Sequence, residues 1–313
     1  MKKILKILLA FYIVMCILGT CCFFAVGNII YNIALGRSTT SQTDNSAFSG
    51  GMTENRTWLE ENGTEMYISS DEGISLHGYL ATNTRSDGKY AIVCHGYTSK
   101  ATDMSYFAKC LYDMDLSVLA VDARAHGKSG GSLIGMGYLE KRDIILWINE
   151  LAKSDPNAKF ILFGLSMGAA TVLFTSGEND LPASVKAVVS DCSYSRVYEQ
   201  IGCTIRGYIP FIPDFPIVDS ASVVCEMRGG YSFRDASCID AVRNSHTPTL
   251  FIHGSADTFV PFYMLDILYS NAGCPKEKLV IDGAGHAQCA STNPTLYWST
   301  IKNFIIENTG ESL

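Results

Sequence analysis

Three side chains in this sequence have the types and the chain order that nucleophilic catalysis requires: Ser166, Asp257 and His286. Ser166 lies in Gly164-Leu165-Ser166-Met167-Gly168, between the apolar run Lys159–Phe163 and a second run, Ala169–Phe174. Strand before and helix after place the serine on a sharp turn, where a hydroxyl can stand clear of the backbone at the helix's positive end. Flanking glycines suit such a turn, because the adjoining segments approach too closely for side chains. The five-residue pattern alone is weak. Glycine-rich chains produce it by chance, and Ser166 could equally serve as a helix N-cap.

A serine hydroxyl attacks a carbonyl only when a base takes its proton and an acid holds that base. His286 sits in Asp282-Gly283-Ala284-Gly285-His286-Ala287, directly after the last apolar run. Asp257 sits in His253-Gly254-Ser255-Ala256-Asp257, again just past a run. All three would then emerge at one sheet edge, in the order Ser, Asp, His. Taken singly, His286 could be a surface turn residue and Asp257 the cap of a helix helped by Pro261. Asp191, also at the end of a run, is the rival for the acid. Stabilising the tetrahedral intermediate calls for two backbone N–H groups. The candidates are Met167, immediately after the nucleophile, and Tyr97, in the loop His95-Gly96-Tyr97-Thr98. His95 reads as a hydrogen-bonding residue of that turn rather than a second base.

The elements that must position these residues are legible as a change of pattern along the chain. Thr64–Ser69 and Ile74–Leu80 alternate around the turn-like Asp71-Glu72-Gly73, as an antiparallel pair does. Short continuous apolar runs follow at Tyr90–Cys94, Ser117–Val121, Phe160–Phe163, Ala187–Val189, Leu250–Ile252 and Leu279–Ile281. Such runs suit strands buried on both faces of a parallel sheet. Asp103–Met114, Tyr138–Ala152 and Thr292–Glu307 carry helical spacing between and after them. Strand and helix alternating in this way predict an α/β fold with a mostly parallel sheet covered on both faces. From Cys192 to Thr247 the rhythm breaks in a long aromatic, proline-bearing insertion, which needs its own structure or a task.

The chain of 313 residues has 47% hydrophobic residues and mean hydropathy +0.14, and the excess lies at one end. No charge occurs between Lys6 and Arg37. That is long enough for a membrane-spanning helix, with Lys2, Lys3 and Lys6 keeping the N-terminus cytoplasmic and the remainder outside. A cleaved signal peptide is the alternative, with small residues at Ala25-Val26-Gly27; Cys21 after Thr20 is a poorer lipoprotein site. Residues 1–36 thus read as anchor or signal, 37–61 as a flexible Ser/Thr/Asn/Gly-rich stalk, and 62–313 as one large domain carrying the insertion at about 192–247. Eight of the 11 cysteines lie outside the anchor, with no Cys-x-x-Cys pair or metal spacing; Cys94 and Cys192 read as buried thiols. No metal and no cofactor are expected. A net charge of −7 without basic runs argues against nucleic acid.

His95-Gly96-Tyr97, Asp122-Ala-Arg124-Ala-His126-Gly127-Lys-Ser129, Gly164-Leu-Ser166-Met-Gly168, His253-Gly-Ser-Ala-Asp257 and Ala284-Gly285-His286 occur in that order. Together they resemble the α/β-hydrolase superfamily from about Thr64 to the end, and more narrowly the bacterial membrane-anchored hydrolases related to carboxylesterases and monoglyceride lipases. The resemblance implies a covalent acyl-enzyme, no metal, and a cap where the insertion lies. Two departures stand out: Ala125 replaces a frequent glycine, and the loop at Gly96 lacks the extra glycines of one lipase branch. The expected activity is hydrolysis of small, apolar carboxylic esters, lipid-like ones among them, at a membrane. Amide hydrolysis at a free N-terminus, acyl transfer and a non-catalytic binding module remain the alternatives.

Overall fold

Residues with apolar side chains on both faces can be accommodated only in the interior of a covered sheet, and that is where the apolar runs lie. The computed structural model describes residues 2–37, 55 and 57–310. Its strands are β1 (Thr64–Ser69), β2 (Ser75–Ala81), β3 (Lys89–Cys94), β4 (Ser117–Asp122), β5 (Lys159–Leu165), β6 (Val185–Asp191), β7 (Thr249–Gly254) and β8 (Lys276–Ile281). They form one sheet in the order β1-β2-β4-β3-β5-β6-β7-β8. β2 runs antiparallel to both β1 and β4, and every pair from β4 to β8 is parallel.

Alternate residues of the same strands feed two separate cores. Ile92, Leu119, Leu162, Val188 and Phe251 face one; Val93, Ala120, Phe163, Val189 and Ile252 face the other. The first core is closed by α4 (Glu140–Ser154), α5 (Met167–Ser176), α8 (Cys238–Asn244) and α9 (Tyr263–Asn271). The second is closed by α3 (Ser105–Tyr112), the short α10 (Cys289–Thr292) and α11 (Pro294–Thr309). Cys94 and Cys192 are buried free thiols.

The insertion holds helices α6 (Val197–Tyr208) and α7 (Asp214–Gly229) as well as α8. The N-terminal run forms one helix, α1 (Lys2–Leu35), long and apolar enough to cross a membrane by length and composition. Residues 2–22 of α1 are exposed, whereas Gly27, Tyr31 and Leu35, spaced four apart on one face, are buried. Gly27 lies against the carbonyl of Ser220 in α7, so closely that a Cβ there would stand 2.4 Å from its oxygen.

The stalk expected over 37–61 falls mostly outside the described residues, and its described ends are tied down. The Arg37 guanidinium donates to the carbonyls of Ser129, Gly131 and Gly127. Trp58–Asn62 forms a short helix, α2, with Leu59 buried. Trp58 and Leu59 supply the apolar grip that the Ser/Thr/Asn/Gly composition around them hides.

Candidate active site

The parallel register brings the ends of β3, β5, β6, β7 and β8 to a single edge: Cys94 is level with Gly164, Leu165 with Asp191, Asp191 with Ile252, and Gly254 with Ile281. Ser166 follows β5 directly and takes φ 56°, ψ −114°, a backbone conformation that L side chains rarely adopt. It is held there by its N–H, which donates to the Asp191 carbonyl at 2.9 Å. Two glycines make the turn possible. A Cβ on Gly164 would lie 2.1 Å from the Gly168 carbonyl oxygen, and one on Gly168 would lie 2.1 Å from that of Cys94. Although Ser166 occupies the cap position of α5, its hydroxyl does not cap the helix.

The hydroxyl instead meets a histidine. His286 Nε2 lies 2.9 Å from Ser166 Oγ, and His286 Nδ1 lies 2.8 Å from Asp257 Oδ2. Asp257 is buried, and every acceptor direction is used: Oδ1 takes the N–H groups of Phe259 and Val260, at 3.0 and 2.9 Å. His253 Nε2 lies 3.2 Å from Oδ2 and 2.9 Å from the Val260 carbonyl oxygen, so one N–H serves both. Burial pushes the Asp257 carboxyl up, but the bonds from His253 and His286, the imidazole charge and the Val260 amide hold it down at about 2. An ionised Asp257 fixes Nδ1 of His286 as a donor and leaves Nε2 as an acceptor facing the serine.

Asp191 is brought to the same strand edge but bonds elsewhere. Its Oδ2 accepts from the Tyr297 hydroxyl at 2.9 Å, and burial raises its carboxyl to about 6. The three expected residues therefore meet, and the rival acid does not touch the base. His253 is the partner that sequence reasoning missed. Its signals were its place in His253-Gly-Ser-Ala-Asp257, to which no role was attached, and its position four residues before Asp257, an ordinary spacing in any turn.

The candidate N–H groups for an oxyanion come from the two segments that Gly168 holds in contact, the start of α5 and the loop after β3. Met167 is the first residue of α5; Tyr97 stands between Gly96 and Thr98, the latter at φ 60°. Two histidines brace that loop from behind. His95 Nδ1–H donates to the Gly96 carbonyl at 2.7 Å while Nε2 accepts from the Ala123 N–H at 3.0 Å. His126 Nδ1–H donates to the Arg124 carbonyl and Nε2 accepts from the Thr98 N–H at 3.2 Å. Burial, reinforced by His95, lowers His126 to about 3, so it stays neutral and keeps an acceptor for Thr98. The Tyr97 hydroxyl donates to the Ala34 carbonyl at 2.9 Å, tying the loop to the end of α1. Ala125, in place of a frequent glycine, takes φ 61° in the turn that carries His126.

Cys192, Asp257 and His286 each bring a ligand-type atom within 4.8 Å of the other two. The donor set does not suit a metal. Burial keeps the Cys192 thiol protonated, and the His286 nitrogen facing Asp257 already carries a proton.

A family model described as "Serine aminopeptidase, S33" matches residues 88–206. The uncharacterized protein YqkD of Bacillus subtilis is 28% identical over 244 residues, covering 77% of this chain and 79% of that protein. The uncharacterized membrane protein YNL320W of Saccharomyces cerevisiae is 24% identical over 251 residues, with 78% and 79% covered. Among solved structures, the Pyrococcus furiosus esterase Pf2001 superposes with a TM-score of 0.65 at 24% identity, covering 78% of this chain and 91% of that one. Est1E of Butyrivibrio proteoclasticus, solved with ferulic acid, gives 0.60 at 21% identity over 79% of this chain and all of that chain. At such identities the likeness is one of fold.

Proposed function

We propose that this chain, which belongs to the α/β-hydrolase superfamily, is a serine hydrolase that cleaves carboxylic esters through Ser166, His286 and Asp257. The observation that carries the reading is the relay from Ser166 Oγ to His286 Nε2 at 2.9 Å and from His286 Nδ1 to Asp257 at 2.8 Å. His286 takes the hydroxyl proton as Ser166 Oγ attacks the ester carbonyl, and the oxyanion receives the N–H groups of Met167 and Tyr97. The imidazolium, its charge balanced by Asp257, gives the proton to the departing alcohol and leaves an acyl-serine. Water then repeats the cycle, with His286 again as base, and releases the acid. Phe259, whose ring centroid lies 4.8 Å from that of His286, offers an apolar surface beside the leaving group. The insertion reaches the neighbourhood of the site through Gln200, which donates to the Phe259 carbonyl, and its aromatic composition supports an apolar acyl or aryl substrate.

The apolar α1 supports a membrane location, and Lys2, Lys3 and Lys6 favour a cytoplasmic N-terminus with the catalytic domain outside. The bond after Gly27 lies inside helix α1, and Gly27 itself is buried against Ser220 and Val224 of α7, which favours retention of the helix over cleavage there. The aminopeptidase family match favours a second reading, amide hydrolysis at a free N-terminus. A series of p-nitrophenyl esters set against aminoacyl p-nitroanilides separates the two. The ester reading expects turnover of the esters and its fall by about a million-fold in Ser166→Ala. Turnover of the anilides alone, or near-normal ester turnover by that variant, overturns it.

A further inference from the structure

Outside α1, nine large apolar side chains are exposed among the described residues, and four of them crowd into 208–215: Tyr208 at 86%, Ile209 at 52%, Phe211 at 96% and Phe215 at 72%. They form the tip between α6 and α7. From Gly207 to Pro213 the tip carries no charge, and the two charges at its base, Arg206 and Asp214, pair with each other. A patch of this kind on an exported domain calls for a partner.

The packing of α1 against α7 identifies the partner. Gly27 lies on Ser220 and Val224. Further along both helices, Arg228 bonds Asn28 and Asn32 and stacks over the Tyr31 ring at 4.3 Å. Residue numbers rise together, so the two helices run parallel and the N-terminal end of α7 points toward the N-terminal end of α1. A bilayer core takes about 20 helical residues, which from Ile7 reach Val26. Asn28, Asn32 and Arg228 then mark where α1 leaves the apolar layer. The regular part of α7 begins at Pro216, four residues before Ser220 and so roughly 6 Å nearer the bilayer than the Gly27 contact; Phe215, with non-helical φ −86° and ψ 132°, precedes it. Helix α6 runs antiparallel beside α7, with Tyr198 bonded to Asp219 and Gly202 lying against Asp214, so its end at Tyr208 lies toward the same side.

We propose that the 208–215 tip inserts into the membrane surface beside α1, with Tyr208, Ile209, Phe211 and Phe215 as its lipid-contacting side chains. This rests on reading α1 as a membrane anchor. Tyr208, a ring with a polar end, suits the interfacial layer, and Ile209, Phe211 and Phe215 suit the acyl boundary just beneath it. The tip is also coupled to the site. On α6, Gln200 donates to the Phe259 carbonyl at 3.1 Å, and Phe259 lies on His286. Insertion therefore sets the site's mouth at the lipid surface and favours esters that partition into it.

The test uses full-length protein in phosphatidylcholine nanodiscs whose acyl chains are plain or brominated, bromine being a short-range quencher. Phe211→Trp, Phe11→Trp and Met227→Trp are each compared with the parent protein, after thermal melts confirm folding. Phe11 is on the free part of α1, and Met227, also exposed, is at the far end of α7. The proposal expects the tryptophans at 11 and 211 to lose roughly half their added emission to bromine, and the one at 227 to keep it. Quenching at 11 without quenching at 211 overturns the tip and spares the anchor. Equal quenching at 211 and 227 overturns the alignment. No quenching at 11 removes the anchor reading and the tip with it.

Discussion

Gly168→Ala should disable the enzyme without unfolding it, and its size follows from the contact made. The new methyl would stand 2.1 Å from the Cys94 carbonyl oxygen, about 1.3 Å inside ordinary contact at 3.4 Å, and 2.7 Å from the His95 oxygen. Neither side yields easily. Cys94 ends a strand paired on both flanks, and the start of α5 is fixed by the strained Ser166 turn. The gap between α5 and the loop after β3 must open by about 1 Å, which separates Met167 N–H from Tyr97 N–H. A misplacement of that size costs about 10²-fold, and loss of one oxyanion donor about 10²–10³-fold, so kcat should fall by about 10²–10³-fold. Overpacking should take about 1–3 kcal/mol from stability. Steady-state hydrolysis of a p-nitrophenyl ester measures the first and a thermal melt the second. Gly207→Ala, with nothing within 4 Å of the added carbon, is the control and should leave turnover unchanged. Folded Gly168→Ala with turnover within threefold of the parent would refute the placing of the oxyanion donors.

Two further outcomes separate the acid from its rival and assign the base. Asp257→Asn should cost about 10⁴-fold in kcat by removing the partner that sets the imidazole tautomer, whereas Asp191→Asn, off the relay, should stay within a few-fold; the reverse order in kcat measurements contradicts the assignment. Because Asp257 is held at about 2, its charge is present throughout the assay range and is lost only as pH falls toward that value. The acid limb of kcat/KM should therefore fall without a contribution from Asp257, and a profile with no acid limb at all would count against His286 as base.

The relay was readable in the sequence because each member sits just beyond a continuous apolar run, and such runs end at one edge of a parallel sheet. The alternation of β1 and β2 was readable for the same kind of reason. Pairing order was not. That β4 lies between β2 and β3 depends on contacts distant in sequence, which no local pattern encodes. His253 stayed hidden because a histidine facing back onto its own turn looks like any other turn residue. Helix α7 was missed because it is covered on more than one side, by α1 and by the domain, which blurs the apolar stripe. The packing of α1 on α7 was concealed by composition: apolar residues surround Gly27, Tyr31 and Leu35, and only Asn28 and Asn32 mark the stretch that meets the protein. Leu59 shows the opposite case, a single buried side chain in a polar stretch.

The central claim is that Ser166 is an activated nucleophile, and covalent labelling by a fluorophosphonate tests it most directly. Intact-mass analysis should show one phosphonyl adduct, peptide mapping should place it on Ser166, and Ser166→Ala and His286→Ala should both fail to label on the same timescale. An unlabelled parent protein, or an adduct that persists in Ser166→Ala, would contradict the account.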